Sequence, residues 1–183
     1  MAFSELLRIT VLLVAGVATA LGALAVLVIQ NDDSTFAAIF GGAWWLVAAI
    51  LGLVLGTPAR AAEAIAPALR AARTATSLPP ESDARIALMR LWPIGAFAVV
   101  CGVAGVLFPQ VAAIGAGYAI LIALLWRRRE DAVRAIEDRD GVRFYVEPTS
   151  ALEPIRLVRS PGLYRDRPPH PQPPPPPPVP EER

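Results

Sequence analysis

The sequence predicts an all-α membrane protein: a four-helix transmembrane bundle of two hairpins, with a short cytoplasmic tail and a disordered proline-rich C-terminus. Three observations predict it. Four long runs carry no charged side chain, every basic residue falls on one side of those runs, and the segment 167–183 is dominated by proline.

Composition sets the frame. Of 183 residues, 55% are hydrophobic and only 18% are charged, whereas a soluble domain keeps roughly a quarter of its residues charged. All 17 basic residues are arginine, and with abundant alanine, glycine and proline this is the usage of a GC-rich bacterial genome. The net charge of +1 names no partner; the placement of the charge is the informative part. Cys101 is the sole cysteine and lies in an apolar run, so an intrachain disulfide is excluded and a small buried hydrophobe is expected.

The first apolar run, Ile9 to Ile29, has 21 residues, and the second, Phe36 to Leu55, has 20. At 1.5 Å per residue each reaches the ~30 Å of a bilayer core. Arg8 and Ala18-Thr19-Ala20 give the first run the look of a cleavable signal, but its hydrophobicity continues past that site to spanning length. Leu91 to Phe108 and Val111 to Trp126 supply 18 and 16 residues. These shorter runs cross by local thinning or by borrowing flanking residues, with a re-entrant hairpin as the alternative.

Arginine fixes the orientation. The turn between the first two runs holds Asp32 and Asp33 without arginine, and Pro109-Gln110 is uncharged. Arg60, Arg70, Arg73, Arg85 and Arg90 lie between the second and third runs, and Arg127, Arg128 and Arg129 follow the fourth. Positive residues are retained inside, so both termini are expected in the cytoplasm, in the plasma (inner) membrane of a bacterium. Trp92 and Trp126 then sit at the cytoplasmic interface, and Arg127, Arg128 and Arg129 are expected to meet lipid headgroups there.

Between the hairpins, Thr57-Pro58 reads as a helix start. A polar stripe (Arg60, Glu63, Pro67, Arg70, Thr74) opposes Ala61, Ile65, Ala68, Leu69 and Ala72, so a helix over 58–77 is expected, either as a plain solvated connector or lying on the leaflet or beneath the bundle. Leu78-Pro79-Pro80 ends it, and Glu81-Ser82-Asp83 opens the helix feeding the third run. In the tail, 127–166, helix continues from Arg127 to Asp140 with Glu130–Arg134 and Arg134–Asp138 pairs and a stop at Gly141. Val142 to Glu147 then alternates as a strand, with Ile155 to Arg159 as its candidate hairpin partner. A lone hairpin is marginal in water. Such strands need a surface: the loop helix, the bundle underside, another copy or a different protein.

The stretch Arg139-Asp140-Gly141-Val142-Arg143-Phe144-Tyr145-Val146-Glu147-Pro148-Thr149-Ser150, followed by Pro154-Ile155-Arg156-Leu157-Val158-Arg159-Ser160-Pro161-Gly162, resembles the tails of uncharacterised multi-pass membrane proteins of GC-rich actinobacteria. The resemblance covers this stretch and the four-span layout, and it implies no activity or functional residue.

Function is constrained mostly by what the runs lack. They hold no Asp, Glu, Lys, Arg or His, the groups that mark proton relays and ion paths. No nucleophile–base pair, metal-ligand cluster or nucleotide motif is present, so no catalytic, cofactor-binding or metal residue is expected. Small residues recur four apart at Ala18–Gly22, Ala48–Gly52–Gly56, Ala98–Gly102 and Ala113–Gly117, the spacing that lets helix backbones approach. Trp44 and Trp45, at mid-span, are expected between helices. The leading expectation is a non-enzymatic accessory or scaffolding subunit of an envelope complex. The alternative is a small transport or channel component for an uncharged or lipidic molecule. Expected partners are the bilayer and another copy or a different membrane protein, not nucleic acid or metal. The proline-rich segment with His170 reads as a solvated spacer, with docking into an aromatic-lined groove as the alternative.

Overall fold

The computed structural model describes residues 1–31, 35–74, 82–149, 151 and 153–161. The Asp32–Asp33 turn, the Pro79-Pro80 break, residues 75–77 of the expected loop helix and the segment 167–183 lie outside the described residues.

Four helices are long and apolar enough to cross a membrane: α1 (Phe3–Asn31), α2 (Thr35–Leu55), α4 (Asp83–Leu107) and α5 (Pro109–Asp140). α1, α2 and α5 contain their expected apolar runs, and α4 contains its run up to Leu107; each begins before its run, because flanking residues continue the same helix. A shorter helix, α3 (Pro58–Arg70), joins the two hairpins. Pro58 occupies its first turn, where a missing N–H costs nothing, and the Ala61 amide bonds to the Thr57 carbonyl at 2.9 Å. Phe108 separates α4 from α5 in extended conformation, and Pro109 begins the new helix.

Helix α5 is the axis of the bundle: α1, α2, α3 and α4 all pack against it. Its inward face is made of small residues, with Ala112, Ala113, Gly115, Ala116, Gly117 and Ala119 all buried. Such a face lets partner helices come close. They do. A Cβ at Gly52 would stand 2.9 Å from Cβ of Leu124, and one at Gly105 would stand 2.6 Å from Cβ of Ala112. The outward faces carry large apolar side chains, including Phe36, 79% exposed, and Leu107, 73% exposed.

At one end of the bundle sits a cap. Strands β2 (Val142–Val146) and β3 (Leu157–Pro161) pair antiparallel, Val146 opposite Leu157. Strand β1 (Arg73–Thr74) adds to the other side of β3 in parallel, giving the order β1-β3-β2. The fold is therefore helical with a small three-stranded sheet. It is larger than the expected hairpin because the chain after α3 contributes a strand. That is a correction to the loop: α3 ends at Arg70, short of the expected 77, and Arg73 and Thr74 have left the helix to pair with β3.

Packing explains why this otherwise marginal sheet holds. Phe144, Val146 and Leu157 turn onto Phe3, Leu6 and Leu7 of α1, Ile65 of α3, Ile86 of α4 and Val133 of α5 in one cluster. Val133 and Val146 are fully buried. Two bonds sew the start of the chain into it: the Val146 amide donates to the Met1 carbonyl at 3.0 Å, and the Met1 α-amino group meets Asp83 Oδ1 at 2.6 Å. The apolar side of α3, with Ala61 and Ile65 buried, lies beneath the bundle against this cluster.

Candidate functional site

The polar groups of the apolar helices are mostly spent on structure. Thr10 Oγ1 donates to the Leu6 carbonyl at 2.8 Å and Thr19 Oγ1 to the Ala15 carbonyl at 3.0 Å, each within its own helix. Trp45 Nε1 donates to the Ala113 carbonyl at 2.8 Å and Trp44 Nε1 to the Ile114 carbonyl at 3.2 Å. Both tryptophans, in the middle of α2, thus tie it to α5. Glycine makes room for them: Trp45 covers Gly22, Trp44 covers Gly117 and meets the edge of Tyr118 at 5.3 Å between ring centroids. Cys101 is buried beside Gly115. Among the described residues, no three His, Cys, Asp or Glu side chains gather as a metal site.

Helix α4 packs differently. Only 6% of its apolar stretch is buried, against 39% for that of α5. Its small residues Gly95 and Gly102 have nothing within 4 Å of where a Cβ would stand. Two apolar clefts flank it, sharing Val17 of α1 as a wall. One, of about 360 Å³, is bounded by Val17, Ile94, Phe97, Tyr118 and Ile122; Pro93 lies at its lower end. The other, of about 450 Å³, is bounded by Gly16, Ala20, Ala98 and Gly102 among others. Pro93 cannot donate to the Met89 carbonyl, which leaves α4 its weakest point at the base of the first cleft.

The three arginines expected at headgroups diverge around α5. Arg127 and Arg128 are exposed and Arg129 is half-buried. The stem of Arg128 lies over Gly56 at the end of α2. The Arg129 guanidinium carbon stands 5.3 Å from the Trp126 ring centroid, a cation–π contact. Spacing puts Tyr118, Ile122, Trp126 and Arg129 on one face of α5, so Arg129 lies under the first cleft. On the opposite wall Arg90 shares a face with Ile94 and Phe97. Its Nη2 donates to Thr149 Oγ1 and reaches the Pro154 carbonyl at 3.5 Å, clamping the β2–β3 connection onto α4. Its buried Nε has no acceptor among the described residues. Burial pushes the Arg90 pKa below its ordinary value, and Glu153 opposes the shift.

Two carboxylates buried in the cap complete the picture. Glu130 pairs with Arg134 at 2.7 Å, as the spacing predicts. Glu137 Oε1 instead accepts the Phe144 amide at 3.1 Å and fixes the turn from α5 into β2. Gly141, in left-handed conformation with φ of 63°, makes that turn, and its amide bonds to the Glu137 carbonyl. No signal short of the turn itself marks Glu137 in the sequence.

Comparison with protein-family models, with curated proteins and with solved structures found no match.

Proposed function

We propose that the chain is a four-span protein of a bacterial inner membrane, both termini cytoplasmic, that acts through contacts as a non-enzymatic accessory subunit of an envelope complex. The observation that carries the reading is α4. Leu88, Trp92, Gly95, Val99, Val103 and Val106 form an exposed outward stripe along it, on the least buried of the four long helices. The tail no longer argues for an outside partner, because its strands are covered by the chain's own helices. The arginines of the described residues belong to one end of the bundle or to the cap, which supports the cytoplasmic assignment of that end.

A photo-reactive residue at Val99, compared with one at Val54 on α2, tests the reading in native membranes. We expect a reproducible adduct with a second polypeptide from Val99. Free chain alone from both positions, with a monomer alone after gentle extraction, overturns it. The second reading, passage of an uncharged or lipidic molecule, draws support from the clefts beside α4. Flux into vesicles containing the chain alone separates it from the first.

A further inference from the structure

We propose that the cleft between α1, α4 and α5 binds one acyl chain of an anionic phospholipid of the cytoplasmic leaflet, with the phosphate held at its rim by Arg129. The proposal rests on the chain spanning a membrane as described above.

Size and chemistry favour this occupant. A pocket of about 360 Å³ cannot admit a helix, since a 10 Å length of helix some 10 Å across fills roughly 800 Å³. It lies within the range that takes a small ligand or chain, and its walls are apolar. The only hydroxyl among the wall residues named, that of Tyr118, belongs to a half-exposed ring set edge-on against Trp44. An apolar tail fits such walls.

The rim supplies the charge. Seven residues separate Ile122 from Arg129, about 10 Å along the axis of α5, which places the guanidinium where a headgroup follows its chain. The Trp126 ring holds that guanidinium on the cleft face. Glu130, the nearest carboxylate in sequence, is engaged by Arg134 at 2.7 Å and leaves Arg129 its charge. Arg90, on the facing wall, adds a second cation, shared with Glu153 and the Thr149 hydroxyl. Arg127 points away from the cleft: two residues before Arg129, it sits near the opposite side of the helix.

The test uses the full chain in nanodiscs of equal phosphatidylglycerol and phosphatidylcholine, followed by native mass spectrometry of lipid retained after mild detergent exchange. The wild type is expected to retain one phosphatidylglycerol in preference to phosphatidylcholine. Arg129→Gln is expected to lower that preference about fivefold, the worth of one arginine at a headgroup. Ile122→Trp fills the cleft and abolishes retention, with far-UV circular dichroism reporting its fold. Arg127→Gln leaves retention unchanged. Equal preference in wild type and Arg129→Gln, equal loss in Arg127→Gln, or no retained lipid in a chain that fractionates with membranes overturns the site. A chain recovered in the soluble fraction overturns the membrane reading itself.

Discussion

Two pairs that look alike in sequence, Ala98–Gly102 and Ala113–Gly117, are predicted to respond to the same substitution with opposite signs. A methyl group at Gly102 meets nothing within 4 Å, while one at Gly117 stands 3.0 Å from Cε2 of Trp44 and nearer still to its Nε1 and Cδ1. In Gly117→Ala the indole must move. It then loses its bond to the Ile114 carbonyl, about 0.6 kcal/mol for a hydrogen bond between membrane helices. It also loses its edge contact with Tyr118, about 0.5–1.5 kcal/mol, and overpacking adds about 1–3 kcal/mol. Against this, alanine is better than glycine in a helix by roughly 0.5–1 kcal/mol. The net is a loss of about 1–5 kcal/mol for Gly117→Ala and a gain below about 1 kcal/mol for Gly102→Ala. Unfolding of detergent-solubilised protein by sodium dodecyl sulfate, followed by tryptophan fluorescence and circular dichroism, measures both. Removing the ring in Trp44→Ala should make Gly117→Ala nearly neutral, so the double-mutant cycle must show favourable coupling. Equal midpoints for the two glycine variants, or additivity with Trp44→Ala, refute the packing described.

The cap offers further tests. Phe144 is 4% exposed in the cap core, so Phe144→Ala should cost about 3 kcal/mol and open residues 142–161 to protease while the long helices keep their circular dichroism. Glu137→Gln keeps an acceptor for the Phe144 amide and should cost only about 1 kcal/mol, whereas Glu137→Ala leaves that amide unbonded and should speed its hydrogen exchange markedly. Replacing Arg127, Arg128 and Arg129 together with glutamine should weaken orientation control, read as mixed compartments for a reporter at residue 183. In the unaltered chain, tags at residues 33 and 183 should report opposite compartments.

The long helices were legible because an uncharged run of spanning length has few other meanings in a chain this poor in charge. The helix start at Pro58 and the stop at Gly141 were legible because those residues act locally, through a missing N–H and a permitted positive φ. The alternation of Val142 to Val146 announced a strand for the same local reason. What depends on contacts across the chain was hidden. Strand β1 is two residues, Arg73 and Thr74, and exists only because β3 passes alongside. Phe3, Leu6 and Leu7 precede the first apolar run, and no local signal marks them for the cap core that they help to form. Arg134 had two carboxylates in reach by spacing, and the structure pairs it with Glu130. The four small-residue stripes had one pattern in common, but only tertiary placement separates Gly52 and Gly117, which are filled by neighbours, from Gly102, which faces a cleft.

Cap and cleft are not independent parts, because the same three helices build both. Leu7 in the cap and Val14 in the cleft wall are seven residues apart on α1, and Ile86 and Pro93 are seven apart on α4. On α5, Val133 lies 11 residues beyond Ile122. Each interval is a continuous helix, so the cap fixes where the cleft walls begin. Helices α1 and α5 carry that constraint rigidly across the cleft. In α4 it weakens at Pro93, where no amide bonds back to Met89. Any change in the width of the cleft therefore falls on α4 above Pro93, the part of the bundle with the fewest buried residues and the face left open to a neighbour.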